Sequence, residues 1–174
     1  MVPCHCWSLV KVFCFAAACL SLVAAAAQAQ ALPPGVRLGM SAEELQVALP
    51  TVARVAKPQR LGGGLAGQWR AAPTPFAGLP FESVFYFAAG GLQRIEYLAD
   101  AQGTPDGGAA AFAELLSWGR GQFGRELGSN DPGSAYAAWV QGDTDIYVQH
   151  TLDPRRPRLR LVYKLRLLKD GSTL

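Results

Sequence analysis

Few side chains in this chain have the chemistry for catalysis, and they are scattered. Past residue 5 the sequence holds a single histidine, His150. A histidine acting as general base needs a carboxylate within hydrogen-bond reach, and the nearest in sequence are Asp143 and Asp145. On an extended strand Asp145 and His150, five residues apart, point to opposite faces. Asp143 reaches the ring only if the chain bends. The spacing therefore favours a strand-end histidine over a catalytic one. Gly142-Asp143-Thr144-Asp145 sets two carboxylates two apart, as metal loops do, but lacks the Asp/Asn-Gly and the distant Glu of a calcium loop. Gly and Asp explain themselves there as turn residues. Gly62-Gly63-Gly64-Leu65-Ala66-Gly67 is not followed by Lys-Ser/Thr, so it reads as a connector and not as a phosphate loop. Ser41 and Ser117 have no histidine in their sequence context, and nothing resembles G-x-S-x-G. No two acids stand out as a pair for sugar hydrolysis. Cys4, Cys6, Cys14 and Cys19 all lie near the N-terminus. A chain cut after them has no thiol nucleophile, zinc-thiolate site or CxxC motif. No catalytic residue, metal site or cofactor is expected.

The densest charged feature is the basic run Arg155, Arg156, Arg158, Arg160, Lys164, Arg166 and Lys169. Strand alternation puts Arg158, Arg160, Lys164 and Arg166 on one face. These four are the candidate binding residues. Their expected partner is an envelope protein or an anionic envelope component such as a lipid headgroup, lipopolysaccharide or acidic glycan. The competing reading is a solvated sheet face, paired with acids such as Glu96 or guarding an edge strand against wrong pairing. The formal net charge, +3, is too small to argue for nucleic acid. The aromatics Trp69, Phe85, Phe87, Tyr97, Trp118, Phe123, Trp139 and Tyr147 read as core and sheet packing.

Lys11, the apolar run Val12 to Ala26 and the A-x-A sites at Ala27-Gln28-Ala29 and Ala29-Gln30-Ala31 together read as a secretion signal over residues 1–31. The run is short of the ~20 residues that span a bilayer core, and no second such run follows. The expectation is a cleaved protein, periplasmic or secreted, with no stable transmembrane segment. Residues 32–174 form a single domain on this reading. Cys19 offers a lipid-anchored alternative, although Ala16-Ala17-Ala18 before it and Leu20-Ser21-Leu22-Val23 after it fit a lipidation site poorly.

Ser41-Ala42-Glu43-Glu44 is a capping box, with Met40 and Leu45 at the two positions of a hydrophobic staple and Pro50 as terminator. Strand patterns follow at Gln68-Trp69-Arg70-Ala71, at Phe81 to Ala88 and at Leu92 to Leu98, the last two joined by a turn at Gly90-Gly91. On the last of them Gln93, Ile95 and Tyr97 share one face, Arg94 and Glu96 the other. A second helix is expected to start at Thr104 as cap with Pro105 in its first position, running through Phe112, Leu115, Leu116, Phe123 and Leu127. Gly119, Gly121 and Gly124 either let it lie close to a sheet or break it near Trp118. Residues 128–134 read as a turn. Strands are expected at Ala135 to Gln141, at Asp145 to Leu152 and from Arg158 to Arg166, where Leu159, Leu161, Tyr163 and Leu165 make the apolar face. The two halves, 32–103 and 104–168, share the order helix, Trp-bearing strand, aromatic strand, alternating strand. This is an α-β-β-β unit used twice, by duplication or by convergence. The expected class is α+β, two-layer, an antiparallel sheet with helices on one face.

Gly35-Val36-Arg37-Leu38-Gly39-Met40-Ser41-Ala42-Glu43-Glu44-Leu45 follows a G-x-x-x-G-M-[ST]-x-x-E-[VL] pattern just after the export signal. It resembles the small outer-membrane assembly lipoproteins of the SmpA/OmlA type and the wider β-lactamase-inhibitor-like fold. The resemblance implies a helix against an antiparallel sheet and a role in binding other proteins, not catalysis. The chain departs from that pattern in its second helix, its further strands and its poor lipidation site. The resulting expectation is an exported, non-catalytic interaction module. The alternatives are a lipid-anchored outer-membrane assembly factor and an enzyme of unrecognised type.

Overall fold

The structure, a computed structural model, describes residues 32–131, 133–153 and 155–166. The expected signal segment with Cys19, and Lys169 of the basic run, lie outside these residues. No helix of the described residues is long and apolar enough to cross a membrane.

The first helix, α1 (Ala42–Ala48), forms as its cap dictates. Ser41 Oγ accepts from the Glu44 amide at 3.2 Å, and Glu44 Oε2 accepts from the Ser41 amide at 2.8 Å. Met40 and Leu45 are both buried in the same cluster, as the staple requires. Eight strands follow the sequence order β1 (Ala53–Arg54), β2 (Ala66–Phe76), β3 (Leu79–Ala88), β4 (Gly91–Asp100), β5 (Leu127–Asp131), β6 (Ser134–Gln141), β7 (Thr144–Thr151) and β8 (Arg158–Leu165). The second helix, α2 (Ala109–Phe123), separates β4 from β5. All strands join one antiparallel sheet in the order β1-β2-β3-β4-β8-β7-β6-β5. Two meanders thus meet at β4 and β8, paired from Arg94↔Lys164 to Asp100↔Arg158.

One row of paired residues crosses six strands: Trp69, Phe85, Ile95, Tyr163, Ile146 and Trp139. The two tryptophans stand at its ends, at equivalent places in the two meanders. The row faces the helices. Leu45 of α1 packs with Phe85, Phe87, Leu92 and Ile95. Leu115 of α2 packs with Trp139, Ile146, Val148, Leu159 and Leu161. Leu32, Leu38 and Tyr97 touch both clusters and close the seam between them. The architecture is α+β, one open antiparallel sheet with both helices on one face.

Several local expectations are corrected. Each half carries four strands, not three, because β1 and β5 extend the meanders at their outer edges. Residues 127–131 do not form the helix end and turn that their types suggest. They form β5 instead, because β6 offers them a full ladder from Leu127↔Ala138 to Asp131↔Ser134. Thr104 does not cap α2. Its hydroxyl bonds the Ala101 carbonyl, and a further turn precedes the helix, which starts at Ala109. Asp106 satisfies the helix start instead, accepting from the amides of Gly108 at 3.0 Å and Ala110 at 2.6 Å. The hairpin turn between β3 and β4 falls on Ala89 and Gly90, both at positive φ, with Gly91 already in β4. Pairing then shifts from Phe87↔Leu92 to Tyr86↔Arg94, so Gln93 is the extra residue of a bulge. Because of the bulge it is Leu92, and not Gln93, that packs beside Ile95. The helix α2 continues past Trp118, so its glycines serve close approach. A Cβ at Gly119 would stand 2.5 Å from Cζ2 of the Trp139 ring.

Candidate functional site

The face of the sheet away from the helices carries the even-numbered residues of β8, and it is the candidate functional site. Arg158, Arg160 and Lys164 share it, as alternation requires, with Arg166 just past the strand end. The strand β8 lies in the middle of the sheet. Its charges therefore cannot be guarding an edge. Val162, fully buried, interrupts the basic row and splits it into two ends.

At one end Lys164 and Arg166 converge on Asp145 of β7. Arg166 donates from Nε at 3.0 Å and from Nη2 at 2.8 Å, and Lys164 Nζ stands at 3.6 Å. A cavity of about 480 Å³ opens beside them, lined among others by Gly63, Ala88, Arg94, Asp145, Lys164 and Arg166. At the other end Arg158 and Arg160 have no carboxylate partner among the described residues. Asp100 is the ladder partner of Arg158, but its Oδ1 accepts from the Gln102 amide at 2.8 Å.

Between the two ends lies a polar network. Glu96 is only 3% exposed. Its carboxylate takes no cation from β8; Arg94, two residues before it on the same face, donates to Oε1 from Nε at 2.7 Å. Arg94 Nη2 also donates to Tyr147 Oη at 2.6 Å, and its guanidinium sits 5.7 Å from the centre of that ring. The Tyr86 hydroxyl has Gln59 Oε1 at 3.1 Å and Glu96 Oε2 at 3.4 Å as acceptors. Burial first, and then the Glu96 charge, push the Tyr86 phenol up to about 12. It is a neutral donor at any physiological pH. Further along the face, towards β5, the surface turns apolar. Tyr136 packs against Tyr147 with ring centres 5.5 Å apart. Leu127 is 76% exposed and Val140 51% exposed. Arginine and tyrosine are enriched at the centres of protein interfaces, and the exposed aliphatic groups add apolar area to the same face.

The remaining sequence candidates fall elsewhere. His150 is buried on the helix side, with Nε2 2.7 Å from the Gly107 carbonyl and its ring stacked on Phe112. Asp145 is on the other face. The cleft that His150 lines with Asp106 and Asp153 measures about 300 Å³. In it the histidine is committed to holding the turn before α2, and Asp106 to capping the helix. Asp143 sits in the β6–β7 hairpin, where its Oδ1 accepts from the Thr144 hydroxyl at 3.2 Å. Among the described residues no group of three or more His, Cys, Asp or Glu could hold a metal ion. Gly62–Gly64 forms a single 3-10 turn, with Gly63 and Gly64 at positive φ. The alternation of Arg94 and Glu96 on one strand face is the only sequence signal for the buried network. Gln59, Tyr86 and Tyr147 reach it from separate elements, and nothing local announces that.

The arrangement defines an open-faced α+β sheet with a basic and apolar surface. Comparison with family models, with curated proteins and with solved structures finds no match to the chain.

Proposed function

We propose that this protein is an exported, non-catalytic interaction module that binds an envelope protein or an anionic envelope component through the open face of its sheet. The observation that carries this reading is that one face holds both cations, at the Arg158 end of β8, and exposed apolar groups, on the outer strands β5 and β6. Arg158 and Arg160, without carboxylate partners among the described residues, share it with the exposed Leu127 and Val140. Charge on such a face steers an acidic partner in, and the apolar groups supply contact once it arrives. The Gly35 to Leu45 resemblance to envelope-assembly lipoproteins, whose members bind proteins, supports the same reading.

The test is affinity capture of the tagged mature chain from crosslinked envelopes, beside a variant with Arg158, Arg160, Lys164 and Arg166 changed to Gln. Recovery of one envelope component with the parent and its loss with a folded variant supports the reading. Equal recovery with both, or none with either, rules the basic face out as a binding site. Mass of the mature chain tests the anchored alternative, since acylation at Cys19 adds lipid and leaves a longer chain.

A further inference from the structure

Six of the fourteen Lys and Arg side chains of the described residues have a carboxylate at hand. Arg37 pairs with Glu44, Arg70 with Glu82, Arg94 with Glu96, Arg120 with Glu126, and Lys164 and Arg166 with Asp145. Apart from Arg125, those without such a partner fall into two runs. One is Arg155 to Arg160, at the open face and the loop before it. The other is Arg54, Lys57 and Arg60, on the far side of the 3-10 turn from the open-face cavity.

Arg54 and Arg60 line a cavity of about 810 Å³ between the start of α1, the segment after β1 and the β3–β4 hairpin. Val55, Gly64 and Phe87 contribute to its walls. The backbone beneath both arginines is fixed. Arg54 is paired with Trp69 in the sheet, and Arg60 forms a bridge with Ala66. Between them the Val55 amide donates to the Gln68 carbonyl at 2.8 Å, and the Gly67 amide to the Gln59 carbonyl at 2.9 Å. Glu43 is the carboxylate in the cavity wall. Hydrogen bonds from its own backbone amide and from Ser41 hold its carboxyl below the usual range, so it carries one negative charge. Two guanidinium groups against one carboxylate leave a net positive cavity on a rigid base.

We infer that this cavity binds a phosphate group, with Arg54 and Arg60 as its ligands. Guanidinium forks match phosphate oxygens bidentately, and a dianionic or monoanionic phosphate supplies the charge that the cavity lacks. The site is separate from the open face and does not depend on the function proposed for it. Its phosphate can come from a free phosphate compound or from an anionic lipid headgroup.

The experiment titrates the mature chain with inorganic phosphate by calorimetry, at low and at physiological salt, and measures co-sedimentation with vesicles of an anionic phospholipid. Three proteins are compared: the parent, R54Q/R60Q, and R158Q/R160Q. Circular dichroism confirms that each is folded. Saturable phosphate binding by the parent, weakened at least tenfold in R54Q/R60Q and retained in R158Q/R160Q, is the expected result. Loss of vesicle binding in R54Q/R60Q as well assigns the phosphate to a lipid headgroup; unchanged vesicle binding with lost phosphate binding assigns it to a soluble ligand. Absence of saturable binding by the parent, or equal binding by the parent and R54Q/R60Q, overturns the inference.

Discussion

Glu96 shows how much a single side chain can hold on an otherwise solvent-facing sheet. Its carboxylate and the Arg94 guanidinium are 4% and 15% exposed, so each is the other's main compensation for lost hydration. Removing one partner strands the other. Glu96→Ala is expected to destabilise the fold by about 3–5 kcal/mol, the range for breaking a buried pair, as read by urea denaturation. The same change takes away one of the two largest influences on Tyr86, so the phenol should titrate below its present value of about 12. Ultraviolet titration of a protein that has lost neither the stability nor the high phenol pKa would refute this role for Glu96. Tyr163 is the opposite case. Its hydroxyl is buried and finds no partner among the described residues. Tyr163→Phe should therefore leave stability unchanged or raise it by up to about 1 kcal/mol, because an unsatisfied buried hydroxyl opposes folding. A clear loss of stability would mean that the hydroxyl is satisfied after all. Some of this chemistry is legible in the sequence. The capping box at Ser41 is, because every group in it lies within four residues. Arg94 and Glu96 can be placed on one face, but not together in a buried network, because Tyr86, Gln59 and Tyr147 complete it from distant parts of the chain.

At the scale of elements, α2 turns on which glycines face the sheet. Gly119 lies against the Trp139 indole, whose Nε1 donates to the Gly124 carbonyl at 2.9 Å. At Gly121 an added methyl group would meet nothing within 4 Å among the described residues. Gly121→Ala should stabilise by up to about 1 kcal/mol, the difference in helix propensity. Gly119→Ala gains the same propensity but drives its methyl into the indole, and overpacking of about 1–3 kcal/mol outweighs the gain. Thermal unfolding of the two variants should shift in opposite directions, and shifts of the same sign would show that Trp139 can move aside. From sequence alone both readings of these glycines stand open, since helical spacing does not say which side of the helix meets a tryptophan. The same holds for β5. Its residues Gly128, Ser129, Asn130 and Asp131 favour turns by local chemistry, yet a ladder with β6 claims them. Local propensity places α1, β3, β6, β7 and β8 closely, and it fails where a neighbouring strand supplies the hydrogen bonds.

For the molecule as a whole the decisive place is the seam between the two meanders. The matched positions of Trp69 and Trp139 are visible in the order of elements. The joining of the halves through β4 and β8 is not, because that pairing links residues some 60 to 70 positions apart and leaves no local mark. At the seam Tyr97 and Tyr163 meet edge to face, with ring centres 6.2 Å apart. Burial pushes both phenols up, and Tyr86 is pushed up to about 12 on the other face. In an unfolded chain a tyrosine ionises near pH 10. Above that pH the unfolded state releases protons that the folded state keeps, so the folded state is the one with more protons bound. Stability must then fall as pH rises. The contribution of these phenols is fully present below about pH 10 and is lost as pH climbs through each raised value, at up to about 1.4 kcal/mol per pH unit for each group. Urea denaturation should give a nearly level stability between about pH 7 and 9 as far as these tyrosines are concerned, and a steep loss above 10. Replacing Tyr97 and Tyr163 together by Phe removes two of the four raised phenols, and should flatten that alkaline slope while leaving the contributions of Tyr86 and Tyr136 in place. If the parent and the Tyr97→Phe, Tyr163→Phe protein lose stability equally steeply above pH 10, the seam phenols are not what makes the fold alkali-sensitive, and the buried contact between the two halves does not exist in the form described.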